Sequence, residues 1–250
     1  SMNRPVALKV IKHNMSMDRE VVKRFTNEAM TLARLNHPNV VPAYDAGYTD
    51  DCCYMAMGFI DGETLEDKLK RTGAIEEVEL LGIAKKVIDA LEYAWTEFNM
   101  LHRDIKPANI MIDPKGEVLL MDMGIAKTTT EDGGLTQVGL VVGTPFFMSP
   151  EQAQVRTGID YKPDIYALAA TMYQMIIGIL PFQGPNIMSI LTKKVNNPVI
   201  PPYEIMPNIT QETSDFIVRL LNCDPKRRFD DFKHLRKMLE SCQESALLQR

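Results

Sequence analysis

The stretch "LHRDIKPANIMID", Leu101 to Asp113, crowds His102, Arg103, Asp104, Lys106 and Asn109 into one irregular segment. A solvated loop can hold that many polar groups. Yet the flanks "NML" and "IMI" read as buried, so these side chains are expected to face a shared cavity. Nine residues past Asp113, the apolar run "LLMDMG" carries Asp122 just before a glycine. A carboxylate there, facing a second carboxylate and an amide, suits a hard cation such as Mg²⁺ with phosphate ligands. Near the start of the chain, "PVALKVIKHN" sets Lys9 among Val6, Ala7, Leu8, Val10 and Ile11, a pattern that reads as a buried strand. A lysine in such a strand costs free energy unless an anion meets it. The plainer alternative is a lysine snorkelling off an edge strand.

Chemistry of this kind needs elements that hold the groups in place. Residues 4–11 are expected as a strand. Residues 18–35, "DREVVKRFTNEAMTLARL", carry Val21, Phe25, Ala29 and Leu32 at helical spacing behind a capping Asp18. "HPNVV" leads into extended segments near 40–47 and 52–60. A long helix is expected over 76–98, with Ile83, Val87 and Leu91 on one face. Short strands follow at 110–112 and 118–121. The run from there to about residue 150 is too long for a simple connector, and its "TTTEDGG" stretch is polar and turn-forming. Helical patterns return at 161–178, 186–195, 210–221 and 231–243. A small strand-rich lobe over 1–59 and a larger helical lobe over 60–250 make an α+β arrangement joined at Phe59–Gly62.

Composition narrows the partners. The 250-residue chain is 45% hydrophobic and 24% charged, with a net charge of -5 and a pI near 5.5. That balance argues against nucleic acid or an anionic membrane as a partner bound through bulk charge. Cys52, Cys53, Cys223 and Cys242 lack zinc-ligand spacing and read as reduced thiols. No signal peptide or membrane-spanning run is visible, so a cytoplasmic location is expected, with room for a parent anchored through other segments. Ser1-Met2 looks like a tag-cleavage scar.

Taken in order, Val6-Ala7-Leu8-Lys9, His102-Arg103-Asp104 with Asn109, Asp122-Met123-Gly124 and Ser149-Pro150-Glu151 resemble the protein-kinase signature. "GTPFFMSPEQ", "HPNVV" and "DGETL" are similar to bacterial eukaryotic-like serine/threonine kinases, and the lysine of "DIKPAN" favours serine/threonine over tyrosine specificity. The resemblance implies a two-lobed α+β kinase fold that transfers phosphate from MgATP to a protein substrate. It implies that Lys9 holds the ATP α- and β-phosphates with Glu28 as its ion-pair partner. Asp104 would take the substrate proton, Lys106 would offset developing charge, and Asn109 and Asp122 would hold Mg²⁺. Ala7, Met57 and Met111 would line the adenine pocket, with hinge contacts through the backbone of Gly58 and Ile60. Asp61 would reach the ribose or simply form a turn before Gly62. Thr136 is the expected activating phosphosite, paired with Arg103, and Thr128, Thr129 and Thr130 are alternatives. Thr144, Glu151, Asp164 and Arg228 resemble scaffold residues of the family.

The departures set further expectations. Met123 stands where phenylalanine is usual, and Gly58 where an acidic residue is common. Only eight residues precede Lys9 and none is glycine, so the glycine-rich hairpin that covers the phosphates is absent from this chain. A truncated small lobe, weak ATP binding and self-association through an exposed strand edge are the expected consequences. The rival reading is a non-catalytic kinase-like scaffold or nucleotide-binding regulator.

Overall fold

The computed structural model describes residues 4–12, 29–30, 32–49, 52–123, 145–154 and 160–249. Strands β1 (Val6–Lys12), β2 (Ala43–Tyr48) and β3 (Cys52–Gly58) form an antiparallel sheet in the order β1-β3-β2. The register sets Ala7 opposite Met57 and Lys9 opposite Met55. The central strand β3 buries Cys53 and Met55 on one face, while Cys52 is only half-buried. All four cysteines are free thiols.

The reading of β1 as a buried strand is corrected. Val6, Leu8 and Val10 are 46%, 60% and 47% exposed. Successive side chains of a strand point to opposite faces. Here Ala7 and Lys9 are the half-buried pair, and the Val6–Leu8–Val10 face meets solvent among the described residues.

Gly62 carries the chain into the second lobe. A Cβ at this position would stand 2.2 Å from the Ile112 carbonyl oxygen, so only glycine allows so close a pass. A second antiparallel sheet then forms from β4 (Glu63–Thr64), β5 (Ile110–Ile112) and β6 (Val118–Leu120), in that order. Asp113 shapes the β5–β6 turn, its Oδ1 accepting the N–H of both Lys115 and Glu117 at 2.8 Å. The small lobe is stapled to this sheet. Asn39 Nδ2 donates to Val118 O at 2.8 Å, Leu120 N to Asn39 O at 2.9 Å, and Val41 N to Leu120 O at 3.0 Å.

The rest is helical: α1 (Leu65–Thr72), α2 (Glu77–Phe98), α3 (Pro150–Ala153), α4 (Lys162–Ile177), α5 (Ile187–Asn196), α6 (Pro202–Ile205), α7 (Gln211–Leu220) and α8 (Phe232–Leu248). Helix α4 buries nearly every residue from Pro163 to Ile176, as a helix that is apolar all round must. Helices α2 and α7 pack against it, and α8 packs against both of them. The sequence pattern did not resolve α1, whose only long apolar residues are Leu65 and Leu69. Its Thr64 cap, accepting the Asp67 N–H, defines where it starts. Helix α8 runs past residue 243 to Leu248, because Ala246 still faces the core. No helix among the described residues is long and apolar enough to cross a membrane.

Candidate active site

The segment after α2 is held from beneath. Asp164, buried in the first turn of α4, accepts the backbone N–H of His102 at 2.7 Å and of Arg103 at 2.8 Å. Hydrogen bonds to an ionised carboxylate are among the strong ones. They stabilise a backbone that is locally costly, since Arg103 has φ 66.

His102 ties this segment to the exit of β6. Its ring Nδ1 accepts the Asp104 N–H at 3.2 Å, and Nε2 faces the Met121 carbonyl oxygen at 2.7 Å. Both contacts are satisfied by a neutral imidazole with its proton on Nε2. Complete burial favours that form and pushes the His102 pKa below its ordinary value, against the opposing pull of Asp164, the Met121 carbonyl, Asp104 and Asp122. A further bond, Met121 N to Asn109 O at 2.9 Å, makes the two strands of this crossing move together.

On that frame sit the charged groups. Lys106 Nζ donates to Asp104 Oδ2 at 2.7 Å. Pro107–Asn109 turns as a short 3-10 helix and points the Asn109 amide back, where Nδ2 donates to the Asp104 carbonyl at 2.7 Å and to Asp104 Oδ2 at 3.0 Å. The amide orientation leaves Asn109 Oδ1 as its acceptor end. Across from them Lys9 Nζ meets Asp122 Oδ1 at 2.8 Å. Asp122 has φ 56, a left-handed backbone that a non-glycine residue adopts at a cost. The Lys9–Asp122 contact joins β1 of the small lobe to the end of β6 in the large one.

The sequence-predicted residues therefore fall into groups. Asp104, Lys106 and Asn109 share one hydrogen-bonded cluster, and Lys9 and Asp122 share an ion pair. Ala7, Met57, Ile60 and Met111 are half-buried, and Ala7 lies directly across the sheet from Met57. Gly58 gives its N–H to the Pro42 carbonyl at 2.9 Å. Asp61 is exposed. Met123 is buried in the core, the place expected for the residue that replaces phenylalanine. Glu28, Gly124, Thr128, Thr129, Thr130, Thr136 and Thr144 lie outside the described residues.

The site also has a foundation. Ser149 caps α3 through a capping box with Gln152. Glu151 then meets Arg228 in a fork, with Nη1 to Oε1 at 2.6 Å and Nη2 to Oε2 at 2.9 Å. Arg228 also donates from Nε to the Asn222 carbonyl and from Nη1 to the Lys162 carbonyl, both at 3.0 Å. Sequence reasoning missed the parts played by Asn39, His102 and Lys194. For Lys194 the signal was present: it follows Ile190 by four residues and so shares the apolar face of its helix.

Comparison with known proteins follows the same outline. The model of the protein kinase domain matches residues 1–240. A probable serine/threonine-protein kinase of Clostridium perfringens is 36% identical over 234 residues, covering 94% of this chain and 34% of that protein. A serine/threonine-protein kinase of Myxococcus xanthus is 36% identical over 238 residues, covering 91% of this chain and 43% of the relative. The serine/threonine-protein kinase PrkC of Bacillus subtilis is 33% identical over 230 residues, covering 92% of this chain and 35% of the relative. The chain thus spans between a third and a half of the length of these relatives.

Proposed function

This chain belongs to the protein kinase family, and from that premise we propose that the protein containing it transfers the γ-phosphoryl group of MgATP to serine and threonine hydroxyls of protein substrates. The observation that carries the reading is the cluster at Asp104, where one carboxylate oxygen is held by both Lys106 and Asn109 beside the Lys9–Asp122 pair. Such a set can orient a hydroxyl, accept its proton and meet a phosphoryl group without rearranging the backbone.

The roles follow from the chemistry of each group. Asp104 accepts the proton of the attacking hydroxyl. Lys106, already on that carboxylate, offsets negative charge on the transferred phosphoryl group. Lys9 holds the α- and β-phosphates, and Glu28 is its proposed partner once phosphate displaces Asp122 from it. Asn109 Oδ1 and the Asp122 carboxylate hold Mg²⁺. Their oxygen-only chemistry fits that ion. Among the described residues no three His, Cys, Asp or Glu side chains cluster as a ready metal cage, and Mg²⁺ characteristically shares its shell between one or two protein oxygens and phosphate. When bound, the ion would neutralise charge on the phosphates. Ala7, Met57 and Met111 wall the adenine, the Gly58 carbonyl and the Ile60 backbone contact its edge, and Asp61 reaches the ribose. Thr136 is the proposed activating phosphosite, its phosphate meeting Arg103.

Incubation with γ-labelled MgATP and myelin basic protein tests the reading. The expected product carries phosphoserine and phosphothreonine. Label on tyrosine alone, or none on protein, would overturn it. Mapping of the autophosphorylated protein is expected to find Thr136, with Thr136→Ala less active. Phosphate confined to Thr128–Thr130 would move the assignment.

A further inference from the structure

Lys194 is a buried cation that the roles above do not use. It sits on α5, 2% exposed, behind a capping box formed by Asn186 and Ser189. Its Nζ donates to three backbone carbonyls in one short stretch: Pro145 O at 2.9 Å, Phe146 O at 2.8 Å and Met148 O at 2.7 Å. An ammonium has three N–H donors, so these acceptors saturate it. Among the described residues no carboxylate lies within ion-pair distance of Lys194, and the carbonyl cage takes that place. The ring of Tyr166 lies 5.4 Å from Nζ, and the same ring lies 4.9 Å from the Arg228 guanidinium carbon. Two buried cations therefore grip one segment from neighbouring positions. Arg228 holds it at Glu151, and Lys194 holds it at 145–148.

What that segment faces gives the grip a purpose. Phe147 and Met148 line a small crevice together with Arg103 and Asp104. A peptide that brings a hydroxyl to Asp104 must lie against this wall. Three charge-assisted hydrogen bonds fix the carbonyls of a turn that has no regular ladder of its own. A buried lysine with no carboxylate partner is costly to keep, and its burial here is offset by those carbonyls.

We propose that Lys194 is a positioning residue for protein substrate: its ammonium sets the backbone of residues 145–148 as the wall against which the hydroxyl-bearing chain is held at Asp104. The inference rests on the protein-substrate reading above. Burial pushes the Lys194 amine down to about 7, while the three carbonyls favour its charged form. As pH rises through that region the amine keeps two N–H donors, and one carbonyl of the wall is released. Among the described residues, the groups around Lys194 that carry charge or titrate are few. Tyr166 of α4 has its hydroxyl held well above the ordinary range by burial. Glu151 of α3 is committed to Arg228, and Lys193 of the same helix donates to the Gln183 carbonyl.

The test is steady-state kinetics of the full protein with myelin basic protein as the probe substrate, from pH 6 to 9. Lys194→Met keeps an unbranched side chain one atom shorter and removes the ammonium. Its KM for the protein substrate is expected to rise about tenfold at pH 6.5, the scale of a lost charge-assisted hydrogen bond. The KM for ATP and the ATP hydrolysis without protein substrate are expected to stay within about twofold of wild type. Wild type and Lys193→Met should lose protein-substrate affinity as pH rises, and Lys194→Met should not. Should Lys194→Met fail to fold, Lys194→Gln, which replaces the ammonium by a neutral amide, decides: a protein-substrate KM equal to that of wild type at pH 6.5 would overturn the inference. So would an unchanged KM in folded Lys194→Met, or an ATP KM that rises in step. Wild-type protein that phosphorylates no protein at all would instead overturn the kinase reading, and this one with it.

Discussion

Two sets of ion pairs lie close together in this molecule and differ in how far water reaches them. In the cleft, the side chains of Lys9 and Asp122 are 30% and 31% exposed, and those of Lys106 and Asp104 are 24% and 18% exposed. Below it, Arg228 and Glu151 are 0% and 5% exposed. The cleft pairs meet through single contacts, whereas the lower pair meets through a fork, with two further Arg228 donors on backbone carbonyls. A wet, singly bonded pair is easily exchanged for a phosphate or a cation. A dry, forked pair is not, because parting it strands a charge. Oppositely charged pairs thus serve exchange in one place and permanence in the other, and burial together with the number of bonds decides which.

Removing the cleft's carboxylate should produce the largest effect. Asp104→Asn keeps the size of the side chain and the amide contacts but cannot accept a proton. Single-turnover phosphoryl transfer is expected to fall by about 10²- to 10⁴-fold. Affinity for MgATP, titrated in parallel, should change little, since phosphate and metal contacts are assigned to Lys9, Asn109 and Asp122. Unchanged transfer would remove Asp104 from the proton-accepting role.

The next effect is on stability, and it should separate the two sets cleanly. Glu151→Gln leaves the Arg228 charge buried without its partner, and unfolding in urea is expected to show a loss of about 3–5 kcal/mol. Lys9→Met parts a pair that solvent already screens, and its unfolding free energy is expected to change by less than about 1 kcal/mol. Joint replacement of Glu151 and Arg228 by methionine should recover only part of the loss. The carbonyls of Asn222 and Lys162 would still be without the donors that Arg228 gives them. Equal losses in Glu151→Gln and Lys9→Met would erase the distinction.

How much of this was legible in the sequence follows from distance along the chain. Helices such as α2 and α4 announced themselves by apolar spacing, because a helix repeats within a few residues. The cluster of Asp104, Lys106 and Asn109 is local, and its crowding of polar groups between apolar flanks drew attention to it. The exposed face of β1 was misread, since strand alternation does not say which strand lies at the edge. Lys9 could be marked as a lysine in need of an anion, but the sequence did not choose Asp122 as the contact observed. Asn39 reaches Val118 across 79 positions and Lys194 reaches Met148 across 46. Contacts of that span leave only a polar residue at an apolar position as their trace.

The smallest predicted effect concerns a group of the cleft that belongs to neither set of pairs. His102 is buried and neutral, bonded at both ring nitrogens to backbone groups. Burial lowers its pKa in the folded protein, whereas in the unfolded chain it returns to about 6.5. The unfolded state therefore binds more protons as pH falls below about 6.5, and stability should fall with it. The loss stops growing once pH passes below the lowered folded value, where both states carry the proton. Its slope is limited to about 1.4 kcal/mol per pH unit for one proton. His37 acts in the same direction: its pKa is also lowered, first by burial, and its Nδ1 accepts the Asn39 N–H at 3.1 Å. Urea unfolding at pH 7.5 and pH 5.5 is the measurement, on wild type, His102→Gln and His37→Asn. The pH-dependent loss is expected to shrink most in His102→Gln, because His37 is only half-buried and keeps more of its water. An undiminished loss in His102→Gln would remove the buried imidazole as the source of the acid sensitivity.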